Sequence, residues 1–246
     1  MHNISYITPS EFLLSMMCPM KIDAIQPNQA KALFLAKREL PVLVWDAVNL
    51  EGIHYTLPEI QTLLEGVTVG GHKLNDQTIA LNQAAAWQAV FDAIEQNTFS
   101  LDQQFVCDLH AIAGAEEALS WGAFRTGGVT IAGTEYQPPA ATELDRLWSD
   151  MVNKSQDVDG VYEQAIWVFL QMARTQFFYD VNKRMGRFMM NGLLLSQGYP
   201  AINLPAKRQQ EFNELMLAFY ADGDVTDMTT FMLSCLSSQL IAIMSE

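Results

Sequence analysis

The chain has 246 residues, of which 50% are hydrophobic and 17% are charged. This is enough apolar material for a packed core and excludes a disordered composition. The net charge of -14 and the isoelectric point near 4.6 argue against a nucleic-acid or anionic-membrane partner, because phosphate groups would be repelled.

The spacing of apolar residues predicts a mainly helical protein. In the first half it indicates helices over residues 33–49, divided at Pro41, and over residues 56–64, where Pro58 fits a first turn. Two more helices are predicted over residues 76–97 and 101–113, with Ser100 as the candidate N-cap of the second. The β-branched residues that follow predict a small β-hairpin with arms at residues 129–131 and 134–136.

The second half also has a helical pattern. We expect helices over residues 142–154 and 161–175, a short break, and a helix over residues 183–197 that Gly198 and Pro200 end. Residues 207–220 and 227–244 supply the last predicted helices. No internal repeat or flexible linker interrupts this series.

A cluster of positive charge lies at the start of the helix predicted from residue 183. Lys183, Arg184 and Arg187 are three of only 14 basic residues, and Arg184, Arg187 and Asn191 share one face. A helix start already favours an anion, so basic residues there indicate a phosphate site or an internal carboxylate that neutralises them. Asp180, just upstream, could hold a divalent metal. Alternatively, the arginines pair with acidic residues elsewhere on the surface.

Residues 176–187, QFFYDVNKRMGR, resemble the signature of the Fic (Fido) family, which reads His-x-Phe-x-Asp/Glu-Gly-Asn-Gly/Lys-Arg-x-x-Arg. The matching positions are Phe178, Asp180, Asn182, Lys183, Arg184 and Arg187. Gln176 stands where the family has its histidine, and Val181 where it has a glycine. The resemblance covers roughly residues 35–240, with residues 47–64 similar to the inhibitory-helix region and residues 109–110, 122–125 and 129–139 similar to the helix and flap before the signature.

This resemblance implies a mainly α, Fic-like helical bundle with a small β-hairpin flap. It divides the chain into an N-terminal extension (1–34), a Fic-like domain (35–240) and a C-terminal tail (241–246). Within the domain it predicts an inhibitory-helix region at about 40–65, a flap at about 127–139 and the signature loop at 176–187.

The resemblance also implies roles for individual residues. Fic enzymes typically move AMP from ATP to a protein hydroxyl, which implies Mg-ATP as cofactor, with Asp180 on the metal. Asn182 and Lys183 would line the phosphate loop, and the forked guanidiniums of Arg184 and Arg187 would hold the β- and γ-phosphates. Phe212 could stack on the adenine or could be a core aromatic residue.

The flap would dock a segment of a target protein by strand addition, which uses backbone hydrogen bonds. The flap residues expected to take part are Val129, Thr130, Ile131 and Tyr136.

Two departures from the signature affect the expected chemistry. The family histidine is the general base, and the amide of Gln176 cannot accept a proton at neutral pH, so transfer is expected to fall by roughly 10²–10⁴-fold. None of the four histidines, His2, His54, His72 and His110, is close to the loop in sequence. Val181 replaces a glycine that permits a positive φ, so either the loop takes another path or its anion-binding shape is distorted.

An inhibitory glutamate is expected to pair with the second signature arginine and block the γ-phosphate. The family pattern is Ser/Thr-x-x-x-Glu-Gly/Asn, and Glu51-Gly52 fits it with Ala47 in place of the hydroxyl residue. Glu65-Gly66, with Gln61 at the hydroxyl position, is a second placement. A solvated glutamate without this role is the simpler alternative.

Three functions therefore remain open on the sequence. The chain could be a nucleotide-binding regulator or pseudoenzyme that has lost AMP transfer, an active transferase in which Gln176 only positions a hydroxyl, or an interaction protein that binds no ligand. The expected partners are ATP or another phosphate-containing ligand, a target protein at the flap, and further copies of the chain. Cys18, Cys107 and Cys235 form no CxxC pair, and no membrane-spanning or signal segment is recognisable, so we expect a cytoplasmic protein.

Overall fold

The computed structural model describes residues 22–246, which contain α-helices and short 3₁₀ turns but no β-strand. Residues 1–21, with His2, Cys18 and most of the predicted N-terminal extension, lie outside the described part. The α-helices are α1 (Gln29–Arg38), α2 (Leu40–Leu50), α3 (Leu57–Leu64), α4 (Leu74–Glu95), α5 (Gln103–Ala113), α6 (Leu144–Ser155), α7 (Val161–Thr175), α8 (Asn182–Ser196), α9 (Gln209–Asp222), α10 (Thr226–Ser234) and α11 (Ser238–Met244).

Local signals in the sequence set the ends of the first helices. The Asn28 side chain caps α1 by accepting from the Lys31 N–H at 2.9 Å. The division predicted at Pro41 is confirmed, since α2 begins at Leu40 with this proline in its first turn. Thr56 and Glu59 form a reciprocal capping box at the start of α3.

Helices α7 and α8 form the centre of the core. Nearly every side chain of α8 is buried, including those on the face that carries the arginines. A methyl group at Gly186 would lie 2.8 Å from the ring and 3.0 Å from the carbonyl oxygen of Phe169, so only glycine allows α8 this close to α7. The signature loop is thus held between two tightly packed helices.

The mainly α class is confirmed, but the predicted β-hairpin at residues 129–136 is not found. No backbone hydrogen bond joins its two arms; the Tyr136 N–H instead donates to Thr134 Oγ1 at 3.2 Å. Arms of three residues are too short to hold an isolated hairpin in water. The Arg125 guanidinium fixes the ends of the segment instead, by donating to the Gly127 and Pro139 carbonyls at 2.7 and 2.6 Å.

Two further predictions on helix ends were wrong. Asp102, and not Ser100, caps α5, because its carboxylate accepts from the Phe105 N–H at 2.7 Å. The single helix predicted over residues 227–244 is two helices, α10 and α11, bent by 75° at a break where Ser237 caps the second. Within residues 22–246 no single helix is long and apolar enough to cross a membrane, and this bent pair passes only when its members are taken together.

Candidate functional site

The signature loop joins the end of α7 to the start of α8 and turns sharply at both ends. Gln176 ends α7 in the left-handed conformation, with φ 54°, and Val181 precedes α8 with φ 65°. A β-branched residue rarely adopts this conformation. The loop therefore follows the path that glycine would allow, with Val181 buried and strained at the position of the family glycine.

Gln176 is tied to the loop by its own side chain. Its amide Nε2 donates to the Ala173 carbonyl at 2.6 Å, and its Oε1 accepts from Asn182 Nδ2 at 3.0 Å. Asn182 also accepts from the Phe178 N–H at 2.9 Å and donates to the Phe178 carbonyl at 2.8 Å. Both amides therefore hold the loop in shape, and the oxygen of Gln176 already has a donor.

Arg184 is paired with a carboxylate that the sequence did not single out. Its Nη1 donates to Glu117 Oε2 at 2.8 Å, and its Nη2 contacts Glu117 Oε1, which makes a forked pair. The side chain of Arg184 is 3% exposed and that of Glu117 is 18% exposed. Burial opposes the charge of Arg184, but the adjacent Glu117 and Glu51 carboxylates outweigh this and raise the pKa of Arg184.

Arg187 is buried with almost no direct partner. Its Nη2 lies 3.5 Å from Glu51 Oε1, and neither Nη1 nor Nη2 forms a hydrogen bond within residues 22–246. Burial lowers the pKa of Arg187, and the Glu51 carboxylate offsets this only in part. The guanidinium lines a cavity of about 20 Å³ together with Gln83, whose Nε2 is also without a partner in the described residues.

Glu51 lies at the end of α2 and faces both signature arginines. Its Oε1 is 3.8 Å from Arg184 Nε and 3.5 Å from Arg187 Nη2. Burial pushes the pKa of Glu51 upward, but the positive charges of Arg184, Arg187 and Lys183 together hold it below its usual value. Glu65, the second candidate, is exposed at the end of α3. Glu51 is therefore the glutamate that the fold brings to the arginines.

The remaining signature residues surround a small pocket. Asp180 is exposed, and its Oδ1 accepts from the Val181 N–H at 2.7 Å. The pocket has a volume of about 70 Å³, and its lining consists of Glu51, Gln176 and residues 180–184. Pockets for whole drug-sized ligands are about 300–1,000 Å³, so this one can enclose about one phosphate group and the rest of a nucleotide would lie outside it.

His110 packs directly beneath the loop. Its ring stacks on Phe178 at 3.8 Å between centroids, and its Nδ1 accepts from the Gly122 N–H at 3.1 Å. Its Nε2 lies 3.4 Å from the Asp180 carbonyl oxygen. Burial lowers the pKa of His110 to about 4, so the ring is neutral at pH 7 and both nitrogens are engaged. His54 is exposed and His72 stacks on Tyr55, away from the loop.

The chain is similar to known proteins in sequence and in fold. Residues 100–194 match the Fic/DOC family. Protein adenylyltransferase Fic of Drosophila persimilis is 24% identical over 231 residues, which cover 89% of this chain and 44% of that protein. The protein of the same name from Drosophila mojavensis is 25% identical over 208 residues, covering 80% of this chain and 40% of that protein.

Solved structures show the same fold. A Fic-domain-containing signalling protein from Bacteroides thetaiotaomicron has a TM-score of 0.72 at 16% identity, and the match covers 92% of each chain. Fic-1 from C. elegans has a TM-score of 0.76 at 16% identity, covering 94% of this chain and 70% of that one. Residues 100–194 are a Fic domain. The chain spans less than half the length of the curated relatives that it matches.

The flap of this Fic domain is a loop that packs partly on the core. Thr130 is exposed, whereas Val129, Ile131 and Tyr136 are partly buried. Tyr136 lies under the Arg174 guanidinium, with 4.2 Å between the Arg174 Cζ and the ring centroid. Among the described residues, no hydrogen bond between backbone groups involves residues 129–136.

Phe212 is buried in the core and does not line the pocket at the signature loop. It is 1% exposed, and its ring lies 6.3 Å from that of Phe169 and 6.1 Å from that of Phe231. This position corresponds to the core role that the sequence left open, and no face of the ring is free for a base.

Two residues that shape the site were missed. Glu117 gave no motif signal, because its role depends on a contact with a residue 67 positions away. Arg125 belongs to residues 122–125, which resemble the family only as a short stretch before the flap. Its fully buried guanidinium nevertheless joins the flap to the signature loop. Its Nε donates to the Gln176 carbonyl at 2.6 Å, in addition to the flap carbonyls described above. The sequence signal that could have indicated this role is an arginine two residues before Gly127-Gly128.

Proposed function

We propose that this Fic domain binds the phosphate groups of a nucleotide at the start of α8 and has little or no capacity to transfer AMP. The observation that carries the binding half of the proposal is the state of Arg187. A buried guanidinium whose two Nη atoms make no hydrogen bond within the described residues is costly, because such donors lose their hydration and the Glu51 carboxylate, 3.5 Å away, compensates only in part. Phosphate oxygens supply the missing acceptors, and the first N–H groups of α8 add to the attraction.

The geometry of Gln176 supports the loss of transfer. A general base must accept a proton from the attacking hydroxyl, and an amide oxygen is too weakly basic for this. Here that oxygen also accepts from Asn182, and the amide nitrogen is held by Ala173. The side chain is thus suited to stabilising the loop rather than to moving a proton.

The residues present are compatible with a magnesium ion that accompanies the nucleotide. Asp180 is exposed at the mouth of the pocket, and one of its carboxylate oxygens has no partner in the described residues. No group of three candidate ligands exists among residues 22–246. Magnesium commonly takes one or two carboxylates and completes its shell with phosphate oxygens and water, so the single Asp180 carboxylate is compatible with it. The ion would supply neutralisation of phosphate charge.

The binding half is tested by thermal unfolding with Mg-ATP. Ligand at about 100 times its Kd should stabilise the folded chain by about 2.7 kcal/mol and raise its Tm. We expect this rise to be lost in Arg184→Ala and Arg187→Ala and kept in the control Arg146→Ala, whose side chain is 61% exposed on α6. If neither Mg-ATP nor inorganic phosphate raises the Tm, even in Glu51→Ala, the chain is instead an interaction protein with permanently paired arginines.

The transfer half is tested with α-labelled ATP and mass spectrometry of the products. We expect no labelling by the unaltered chain and a gain of labelling in Gln176→His with Val181→Gly, larger when Glu51→Ala is added. The alternative function is protein adenylyl transfer, which the names of the Drosophila relatives describe. Labelling by the unaltered chain that disappears in Gln176→Ala would establish that alternative.

Proposed partners follow from the same geometry. If the flap docks a target protein, its backbone from Val129 to Tyr136 is the surface that makes the contact. As a regulator, the chain would bind or release such a protein according to whether nucleotide occupies the loop. A pull-down of a co-purifying protein with and without Mg-ATP tests this, and equal recovery under both conditions would exclude nucleotide-dependent binding.

A further inference from the structure

We infer that Glu117 competes directly with ligand phosphate for Arg184, so that release of Glu117 is the step that admits a nucleoside di- or triphosphate. The inference rests on the proposed nucleotide site and identifies what sets its selectivity. It assigns to Glu117, rather than to Glu51, the larger part of the barrier to a long phosphate chain.

The contact geometry favours Glu117 as the stronger competitor. Glu117 engages Arg184 through two parallel N–H···O contacts, the arrangement that a phosphate would also use. Glu51 faces both arginines at longer range, with closest approaches of 3.5 Å to Arg187 and 3.8 Å to Arg184. A phosphate group can therefore reach Arg187 by displacing a loosely held carboxylate, but can reach Arg184 only by breaking a forked pair.

Glu117 lies in a short segment that is exposed on one side. It follows α5 and is anchored near its start, where Asn82 Nδ2 donates to the Ala115 carbonyl at 2.8 Å. Glu116 has φ 62°, a conformation unfavourable for a non-glycine residue. Leu119, two residues beyond Glu117, is 81% exposed. The Glu117 and Ala118 N–H groups donate to the Gly114 carbonyl at 3.2 and 3.0 Å, and Ala118 is buried. The backbone therefore stays in place, and release is a movement of the Glu117 side chain, which is 18% exposed.

The volume of the site leads to selectivity by phosphate number. The pocket of about 70 Å³ takes one phosphate group while Glu51 and Arg184 remain in its wall. Inorganic phosphate or AMP therefore needs no change at Glu117. ADP and ATP carry further phosphates, whose charge requires the guanidinium that Glu117 holds.

The test is isothermal titration calorimetry with AMP and Mg-ATP on three single variants of the full chain. Glu117→Gln removes the charge of the competitor, Glu51→Gln removes that of the other glutamate, and Glu116→Gln is the matched control on an exposed neighbour. We expect Glu117→Gln to tighten Mg-ATP binding by about tenfold or more, which corresponds to the loss of one charge-assisted contact. AMP affinity should change by less than about threefold, Glu51→Gln should gain less than Glu117→Gln, and the control should gain nothing.

Damage to the fold is separated from competition by a double variant. Glu117→Gln with Arg184→Gln removes both charges of the pair and should keep the Tm close to that of the unaltered chain while failing to gain ATP affinity. If Glu51→Gln tightens Mg-ATP binding and a folded Glu117→Gln does not, the inference is wrong and the proposed function stands. If AMP, Mg-ATP and inorganic phosphate bind to none of the variants, the proposed function itself fails.

Discussion

Replacement of Arg125 by methionine tests whether the flap and the signature loop depend on one buried charge. Its guanidinium is 2% exposed and makes three short hydrogen bonds, to the carbonyls of Gln176, Gly127 and Pro139. Charge-assisted bonds contribute about 1.5–3 kcal/mol each. The substitution also removes the penalty of burying a charge, which is several kcal/mol and which lowers the pKa of Arg125. The expected loss in the free energy of unfolding is therefore about 2–4 kcal/mol.

Urea denaturation measures that loss, and hydrogen exchange followed by mass spectrometry locates it. We expect faster exchange in Arg125→Met over residues 125–139 and 175–182 together, since the same side chain bonds to both segments. The control is Arg146→Met, at an exposed site that pairs with Glu143 and Asp150, where the change should be under about 0.5 kcal/mol. If Arg125→Met unfolds at the same urea concentration as the control, the three carbonyl bonds do not hold the site and the reasoning fails.

Three other substitutions test buried polar groups around the site. His110 stays neutral in the folded chain down to about pH 4 but gains a proton below about pH 6.5 when unfolded. The unaltered chain should therefore lose about 2 kcal/mol of stability between pH 7 and pH 5 relative to His110→Gln, measured by urea denaturation. An equal change in the two proteins would contradict this. Asn191→Ala should cost about 2–4 kcal/mol, because both ends of its amide bond to Ile202; a urea midpoint unchanged from the parent chain would show that this clamp is dispensable. Asn182→Ala should release the Phe178 amide, seen as faster hydrogen exchange of that single N–H, with unaltered protection as the contrary result.

The elements that the sequence predicted well have local causes. Pro41 divides the first helical stretch because proline cannot continue a helix, and Thr56 starts α3 because its hydroxyl and the Glu59 carboxylate cap each other. The signature loop was also found from its own residues, since the charges of Arg184 and Arg187 collect at one helix start. Each of these signals depends on residues that are only a few positions apart in the sequence.

What the sequence could not supply depends on distant contacts. Glu117 looks like any surface glutamate until the fold brings it to Arg184. The sequence shows that Gln176 cannot be a base, but only the fold shows that it holds the loop through Asn182. The prediction of a β-hairpin at residues 129–136 was wrong for a related reason. Alternating β-branched residues indicate a strand, but strands need partners, and the ends of this segment are held by Arg125 instead.

The contact at Gly186 makes the site sensitive to a position that carries no charge. A methyl group there would press on the backbone of Phe169 at 3.0 Å and force α8 away from α7 by some tenths of an ångström. The two signature arginines belong to α8, whereas the carboxylates that face them belong to other parts of the chain. A shift of α8 at Gly186 would therefore change the distances from Arg184 and Arg187 to Glu51 and Glu117. One buried alanine would alter these contacts without replacing any of the four charged residues.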